Sequence, residues 1–177
     1  MTTIAKTVRY REPTPADLPD IQLIDGAAFP SERYPFFVLR QLLQADSSRS
    51  VVAIEPGSDQ DDEVVGYAMT IMGEGSRAWL LSLAVAPDRR GHGYGRGLLR
   101  HSIAVCEEKG DADEIWLTVD PQNVTAYNLF KDFGFVLRVH DEQYFGEGHP
   151  RDVLVYKLRR LSDLPPVGAD ENGYPRT

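Results

Sequence analysis

The segment RRGHGYGRG, residues 89–97, holds more residues suited to binding a charged ligand than any other part of the chain. It contains four glycines at alternate positions, three arginines and one histidine, and no acidic residue. A glycine-rich loop that leads into a helix exposes several backbone N–H groups and the positive end of the helix dipole, and both attract anions. Because alternate glycines also let the backbone approach a bulky phosphate, the segment predicts a polyphosphate site rather than a site for a single carboxylate.

Two common phosphate-binding motifs are excluded by the residues themselves. The P-loop pattern needs a Gly-Lys pair, and the chain has none. The dinucleotide-binding pattern needs a third glycine where Arg96 and Leu98 stand here. A flexible surface turn that is basic by chance is the plain alternative, but such a turn has no reason to collect arginines between a buried strand and a helix.

The composition limits the classes of protein to which the chain can belong. The 177 residues suffice for one domain with a real core. With 27 acidic residues against 19 lysines and arginines, the net charge of -8 argues against nucleic-acid binding, which needs many basic contacts to phosphates. One cysteine excludes an intrachain disulfide framework, and the four histidines lack metal-site spacing. No apolar run reaches the length of a signal peptide or a membrane span, so we expect a cytoplasmic protein with no membrane, nucleic-acid or metal partner.

Local patterns divide the chain into strands and helices in the order β-α-α-β-β-β-α-β-α-β-β. They predict a mixed, three-layer α/β domain, with about seven strands in a twisted central sheet and about four flanking helices. The nearly continuous apolar run AWLLSLAVAP indicates a strand buried on both faces, and it opens a parallel βαβ unit through the glycine loop. We expect the domain to span residues 7–160, to close with strands at 135–145 and 152–160, and to leave residues 161–177 as a flexible or partner-contacting tail.

Two motifs carry a resemblance to a known family. VAPDRRGHGYGRGLL resembles the coenzyme A-binding signature Q/R-x-x-G-x-G/A of the GNAT superfamily of N-acetyltransferases, and NVTAYNLFKDFGF resembles a second signature of that superfamily, N-x-x-A-x-x-L-Y/F-x-x-x-G-F. The resemblance covers about residues 8–160 and implies the GNAT-like fold. The matched residues are Arg90, Gly93 and Gly95 in the first motif and Asn123, Ala126, Leu129, Phe130, Gly134 and Phe135 in the second.

The resemblance implies direct transfer of an acetyl group from acetyl-CoA, as co-substrate, to a primary amine. The tetrahedral oxyanion would be held by backbone N–H groups of a strand. The strand beside the pantetheine arm would contribute Leu83, Ala84 and Val85, and Asn123 would also contact the pantetheine. The pyrophosphate would be held by backbone N–H groups of Arg90, Gly91, His92, Gly93, Tyr94, Gly95 and Arg96.

The closing segment DEQYFGEGHPRDVLVYKL resembles a narrower group, the protein N-terminal acetyltransferases, including the ribosomal-protein alanine type. The group has an aromatic pair, a glycine-containing turn and an aspartate, matched here by Tyr144, Phe145 and Asp152. In that group, this hairpin and the loop between the first two helices close over a peptide N-terminus. The loop reads AFPSERYPFF here, so Tyr34 and Tyr144 are the expected substrate-binding residues.

Two positions depart from the alanine-type pattern. Thr118 stands where that type has a glutamate, and Phe130 where it has a tyrosine general acid, and neither residue transfers protons. The catalytic residues are therefore left unassigned, with Tyr127, Glu74 and Tyr144 as candidates. Core packing is the alternative role for Tyr127, and a position in a solvated turn is the alternative for Glu74.

A site without an evident base favours an amine of low pKa. An α-amine, with a pKa of about 7.7–8.0, is roughly a tenth neutral at pH 7, whereas a lysine side chain needs about 4.6 kcal/mol to reach its neutral form. The sequence therefore favours a peptide or protein N-terminus as acceptor. A small-molecule amine, such as a polyamine, an aminoglycoside or an amino acid, remains an alternative that suits the acidic charge. A coenzyme A-binding regulatory module without catalysis is the other alternative, and a homodimer is compatible with the sequence.

Overall fold

The computed structural model of the protein describes residues 7–57 and 62–159. Seven strands form one sheet, and four helices flank it. The strands are β1 (Arg9–Arg11), β2 (Val51–Pro56), β3 (Asp62–Met72), β4 (Arg77–Val85), β5 (Glu114–Val119), β6 (Val136–Asp141) and β7 (Arg151–Lys157). The helices are α1 (Leu18–Ala28), α2 (Phe36–Ala45), α3 (Tyr94–Lys109) and α4 (Val124–Phe133). None of these helices is long and apolar enough to span a bilayer.

The sheet is mixed, with strand order β1-β2-β3-β4-β5-β7-β6. The strands β4 and β5 run parallel, and the other neighbouring strands run antiparallel. The predicted mixed α/β fold and the central parallel βαβ unit are thereby confirmed. The predicted tail, residues 161–177, lies outside the described residues.

The helices next to the glycine loop begin and end where local chemistry dictates. Gly93 precedes α3 with φ 80°, and Gly110 ends it with φ 68°, both in the left-handed region that favours glycine. The Asn123 side chain caps α4 by accepting a hydrogen bond from the backbone N–H of Ala126 at 3.1 Å. Gly134, with φ 100°, ends that helix. These signals lie within a few residues of each helix end, which is why the sequence predicts both helices.

Each face of the sheet carries its own hydrophobic core. Helices α3 and α4 pack on one face, where Leu98, Leu99 and Phe130 are buried. Helices α1 and α2 pack on the other face, where Leu39 and Tyr67 are buried. The three-layer arrangement follows, because each apolar helix face is covered by one side of the sheet.

Strand β4 is covered on both faces, as predicted, because Leu80 lies in the α3–α4 core and Ala84 in the α1–α2 core. Buried and half-buried residues alternate along it. A β-bulge interrupts its pairing with β3, because Met69 pairs with Ser82 and Thr70 with Leu80, which leaves Leu81 without a residue opposite. Before the bulge Leu80 faces the α3–α4 core, and after it the odd-numbered Leu83 does so instead.

Strands β4 and β5 stop pairing at the position of the bulge. Their parallel pairing runs from Arg77 and Glu114 to Leu80 and Leu117 and includes four pairs. Strand β4 continues to Val85 along β3 only, and β5 continues along β7. A gap therefore opens in the middle of the sheet, on the side of the glycine loop.

The predicted strand at residues 135–145 is too long. Strand β6 ends at Asp141, and a turn occupies the next residues, where the backbone N–H of Gly146 donates to the carbonyl of Gln143 at 2.9 Å. As the edge strand, β6 is exposed along its whole length. The aromatic pair Tyr144–Phe145 consequently lies in a loop that can reach over the gap rather than in the sheet.

Removing a core side chain from α3 tests this packing. We expect Leu99→Ala to lower the free energy of unfolding by about 2–5 kcal/mol, because Leu99 is fully buried beneath the sheet. The control Leu23→Ala, on the exposed side of α1, should change it by less than about 0.5 kcal/mol. Urea denaturation followed by circular dichroism measures both, and equal effects of the two variants would contradict the packing of α3.

Candidate active site

A cleft of about 510 Å³ occupies the gap between β4 and β5. Its walls come from the loop between α1 and α2, from the middle of β4, and from the end of β5 with the start of α4. Because α1 and α2 lie on one face of the sheet and α4 on the other, the cleft connects the two faces. Residues that line it include Phe29, Glu32, Tyr34, Ser82, Leu83, Thr118, Asn123, Phe130 and Phe145.

The residues predicted to contact the pantetheine surround this gap in different ways. Leu83 and Asn123 line the cleft. The side chain of Ala84 packs in the α1–α2 core, so only its backbone can meet a ligand. Val85 is half-buried and packs on the α3–α4 side. Since β5 has left β4 at this point, the edge of β4 borders the cleft instead of another strand.

The glycine loop presents an open backbone surface beside the same end of β4. Gly91 and Gly93 have φ values of 82° and 80°, and a Cβ atom added at either would meet no atom within 4 Å. Both positions thus combine a left-handed conformation with free space, which suits a bulky anion next to the N-terminus of α3. Gly95 lies inside the helix, where a Cβ would make ordinary contacts with Leu83, Val85 and Leu129.

Two of the three arginines of the loop form ion pairs with acidic residues, whereas Arg90 donates from Nε to the Val85 carbonyl at 3.3 Å. Arg89 forms ion pairs with Glu55 at 3.5 Å and with Glu63 at 3.2 Å. Arg96 pairs with Asp132 at 3.0 Å. The sequence shows no acid within the loop, but the fold brings these carboxylates to it. The anion-binding capacity of the loop therefore rests on its backbone N–H groups and the helix dipole more than on free positive charge.

Tyr94 and His92 support the loop from within. The Tyr94 hydroxyl donates to the Glu55 carboxylate, and this hydrogen bond raises the pKa of Tyr94 to about 12. The His92 ring stacks on that of Tyr94 at 5.6 Å between centroids, and its Nδ1 lies 3.0 Å from the Arg90 carbonyl oxygen. These contacts fix the loop conformation and leave its backbone N–H groups available.

Tyr34, predicted to bind substrate, lines the cleft. Its backbone N–H donates to the Asp25 carboxylate at 2.7 Å, which ties the loop between α1 and α2 to α1. Burial raises the pKa of its hydroxyl, and the Asp25 charge adds to that effect. Tyr144, the second predicted substrate residue, is not among the residues that line the cleft. Its neighbour Phe145 takes that place, and the two rings pack edge to face at 5.1 Å.

The other two catalytic candidates also lie away from the cleft. Glu74 is exposed in the turn that precedes β4. It is not among the residues that line the cleft, whose lining on β4 runs from Leu80 to Leu83. Tyr127 interacts with the Asp152 carboxylate, and burial together with that carboxylate raises the pKa of its hydroxyl. Asp152 also binds His140 Nδ1 at 2.5 Å, so Tyr127 belongs to a cluster beside β7.

Thr118 and Phe130, which depart from the alanine-type pattern, do line the cleft. The two positions that the resemblance associates with proton transfer therefore line the cleft. The residues that occupy them here do not ionise near neutral pH. Among the described residues, no group of three or more His, Cys, Asp or Glu side chains could hold a metal ion.

An ion-pair cluster spans the mouth of the cleft and was missed by the sequence analysis. Glu32, from the loop between α1 and α2, pairs with Arg151 and, at 3.3 Å, with His149. The Arg151 guanidinium also lies over the Phe145 ring, 4.7 Å from its centroid. The cluster joins the two segments that the resemblance places around the acceptor. No local signal predicts it, since Glu32 and Arg151 are 119 residues apart.

Comparisons with known proteins agree with this geometry. The family model described as the acetyltransferase (GNAT) family matches residues 17–135. An N-alpha-acetyltransferase of Sulfurisphaera tokodaii is 30% identical over 168 residues, covering 86% of this chain and 95% of the relative. A streptothricin acetyltransferase of Streptomyces lavendulae is 26% identical and covers 76% and 84% of the two chains.

Two further similarities concern the narrower group. A ribosomal protein bS18-alanine N-acetyltransferase of Escherichia coli is 36% identical over 78 residues, covering 43% of this chain and 50% of the relative. A crystal structure of a NatC complex bound to Gag peptide and CoA superposes with a TM-score of 0.78 at 23% identity, covering 86% of this chain and 99% of that one, which supports the fold. The match to the family model and the relative that spans nearly the whole domain bear out the predicted membership. The chain therefore belongs to the GNAT acetyltransferase family and is an acetyl-CoA-dependent N-acetyltransferase.

Proposed function

We propose that the protein acetylates the α-amino group of a peptide or protein N-terminus. The observation that carries this proposal is the cleft through the sheet, which lets a donor on the α3–α4 face meet an acceptor on the α1–α2 face. The name of the Sulfurisphaera tokodaii relative, an N-alpha-acetyltransferase, supports the same acceptor.

The residues around the glycine loop fit the acetyl donor. The open backbone at Gly91 and Gly93 would hold the pyrophosphate of coenzyme A, and the β4 edge from Leu83 to Val85 would pair with the pantetheine amides. Asn123 Oδ1 is already occupied by the cap of α4, so its side-chain amide N–H would donate to the pantetheine. The thioester would then lie in the gap between β4 and β5.

The walls on the acceptor side suit the end of a peptide chain. Phe29, Tyr34 and Phe145 supply aromatic surface, and the Glu32–Arg151 pair supplies polar groups at the mouth. Since Thr118 and Phe130 do not ionise near neutral pH, the site offers no strong base to a lysine side chain, whose deprotonation at pH 7 costs about 4.6 kcal/mol. An α-amine needs little help from a base, because roughly a tenth of it is already neutral at pH 7.

A small-molecule amine is the second candidate acceptor. The streptothricin acetyltransferase of Streptomyces lavendulae, which matches over most of both chains, favours it. The Glu32 carboxylate at the mouth of the cleft would also suit a polyamine or an aminoglycoside.

A competition between amines tests the acceptor. We expect a peptide with a free N-terminus to be acetylated at least tenfold faster at pH 7 than a matched peptide with a blocked N-terminus and a lysine, because only the α-amine is substantially neutral there. Thiol release gives the rate, and mass spectrometry locates the acetyl group. Faster acetylation of lysine, or of polyamines and aminoglycosides alone, would contradict the proposal, as would tight acetyl-CoA binding without turnover of any amine.

A pair of glycine variants tests the donor site. Gly93→Val should weaken coenzyme A binding by at least about tenfold, because a side chain would fill the space next to the loop backbone. Gly75→Val is the matched control, since Gly75 also has a positive φ and free space around it but lies in the turn before β4. Both variants should lose a similar stability, of order 1–3 kcal/mol. Calorimetry should then find weakened binding for Gly93→Val only, and equal affinities would overturn the assignment.

A further inference from the structure

A buried chain of polar side chains leads from α1 to the cleft. Asp25 is fully buried, and its carboxylate accepts hydrogen bonds from the Tyr67 hydroxyl at 2.5 Å and from the Tyr34 backbone N–H at 2.7 Å. The Tyr67 hydroxyl lies 2.7 Å from the Ser82 hydroxyl. Ser82 lines the cleft. The hydrogen-bonded chain is therefore continuous from a buried carboxyl group to the wall of the active site.

The chain has a definite polarity. The Tyr67 hydroxyl donates its single proton to the Asp25 carboxylate oxygen. The Tyr67 oxygen then accepts from the Ser82 hydroxyl. Burial, with the Asp25 carboxylate close by, raises the pKa of Tyr67, so the phenol keeps its proton at neutral pH. Ser82 Oγ is left with lone pairs but no proton to offer, and it faces the cleft as an acceptor.

The bulge in β4 places this acceptor on the side where the amine would enter. Ser82 follows Leu81, the bulged residue, and the shift in register turns Ser82 toward Tyr67 and the α1–α2 core. The other carboxylates at the cleft are engaged: Glu32 pairs with Arg151, and Asp120 accepts the Gln122 backbone N–H at 2.8 Å. Thr118 and Phe130 supply no base. In this part of the cleft, Ser82 is thus the polar side chain that is connected by hydrogen bonds to a buried carboxyl group.

We propose that Ser82 Oγ accepts a hydrogen bond from the acceptor amine and takes up the proton that its nitrogen loses, with Tyr67 and Asp25 as positioning residues that pass the proton inward. This inference rests on the proposed function, since it concerns the amine of the acetyl transfer. Of these three residues, Ser82 is the catalytic one in the strict sense, because only its side chain would touch the substrate.

The proton balance of the step is simple. The lone pair of the neutral amine attacks the thioester carbonyl carbon, a C–N bond forms, and the nitrogen of the adduct becomes positively charged and strongly acidic. Its proton moves to Ser82, the Ser82 proton moves to Tyr67, and the Tyr67 proton moves to Asp25. The C–S bond then breaks, and sulfur leaves with the electron pair as a thiolate, which its pKa of about 8.5 permits. Asp25 returns its proton to solvent by the same path after product leaves.

Steady-state kinetics of four variants test the chain. Ser82→Ala and Tyr67→Phe should each lower kcat by about 100-fold, the lower end of the range for a general base, with unchanged affinity for coenzyme A. Asp25→Asn should do the same, because its amide N–H would donate to Tyr67 and reverse the direction of the two hydrogen bonds that join positions 25, 67 and 82. Ser82→Thr keeps a hydroxyl and should retain most of the activity. Ser102→Ala is the matched control, since it removes a buried hydroxyl that binds the Leu98 carbonyl at 3.0 Å on α3.

Two further readouts separate a proton path from a merely structural role. The rate in D₂O should be slower than in H₂O for the wild type, and this difference should shrink in Asp25→Asn. A coenzyme A–peptide conjugate, whose amide N–H replaces the amine N–H, should bind about 3- to 10-fold more weakly to Ser82→Ala than to the wild type, the worth of one hydrogen bond. Coenzyme A alone should bind both equally.

The outcomes distinguish this inference from the proposed function. If the wild type acetylates peptide N-termini and Ser82→Ala does so at the same rate, the proton path is wrong and the function stands. If the wild type prefers a small amine, the same variants are measured with that amine and the same losses are expected. Equal losses of kcat in Ser82→Ala and Ser82→Thr, or loss of coenzyme A binding in Ser82→Ala, would also overturn the inference.

Discussion

Every part of the active site depends on one feature of the backbone, the separation of β4 from β5 after Leu80 pairs with Leu117. The bulge at Leu81 lets β4 follow β3 while it turns away from β5, since a bulge bends its strand and increases the local twist. A strand that loses its neighbour exposes a row of backbone donors and acceptors. In most proteins such an edge is a liability, but here it borders a cleft in which an extended ligand with amide groups can replace the missing strand.

The two faces of the sheet divide the chemistry between them. On the α3–α4 face much of the binding capacity comes from backbone geometry, because Glu55, Glu63 and Asp132 already engage Arg89 and Arg96, two of the three arginines of the glycine loop. This explains how a chain of net charge -8 can bind a polyphosphate without a broad basic surface. On the α1–α2 face the cleft carries aromatic walls and polar side chains. A donor that carries a polyphosphate and an acceptor that suits aromatic and polar walls can therefore approach the same gap from opposite faces of the sheet.

The sequence predicts the parts of this structure that local chemistry determines. Gly93, Gly110 and Gly134 mark helix ends because each occupies a left-handed conformation, and Asn123 caps the helix that follows it. The parallel βαβ unit follows from the order of these elements. The glycine loop could be recognised for the same reason, since its conformation and its position before α3 are properties of consecutive residues.

The remainder of the site depends on contacts between distant residues and left no local signal. The bulge at Leu81 lies within an apolar run that reads as an uninterrupted strand. Glu74 looked suitable because it borders a strand, but the pattern does not say at which end of that strand the cleft opens. Asp25 and Tyr67 are 42 residues apart, and only the packing of α1 against β3 brings their side chains together.

The polar chain from Asp25 to Ser82 is a feature that stability alone does not require. Within the α1–α2 core, removing one partner of a satisfied buried network costs about 1–3 kcal/mol, whereas replacing all partners by apolar groups of similar shape is nearly neutral. An apolar trio would therefore hold α1 against β3 equally well. What an apolar trio cannot do is present a proton acceptor to the gap between β4 and β5, where Thr118 and Phe130 provide none. The position of the chain is thus explained by the chemistry of the cleft rather than by the packing of the core.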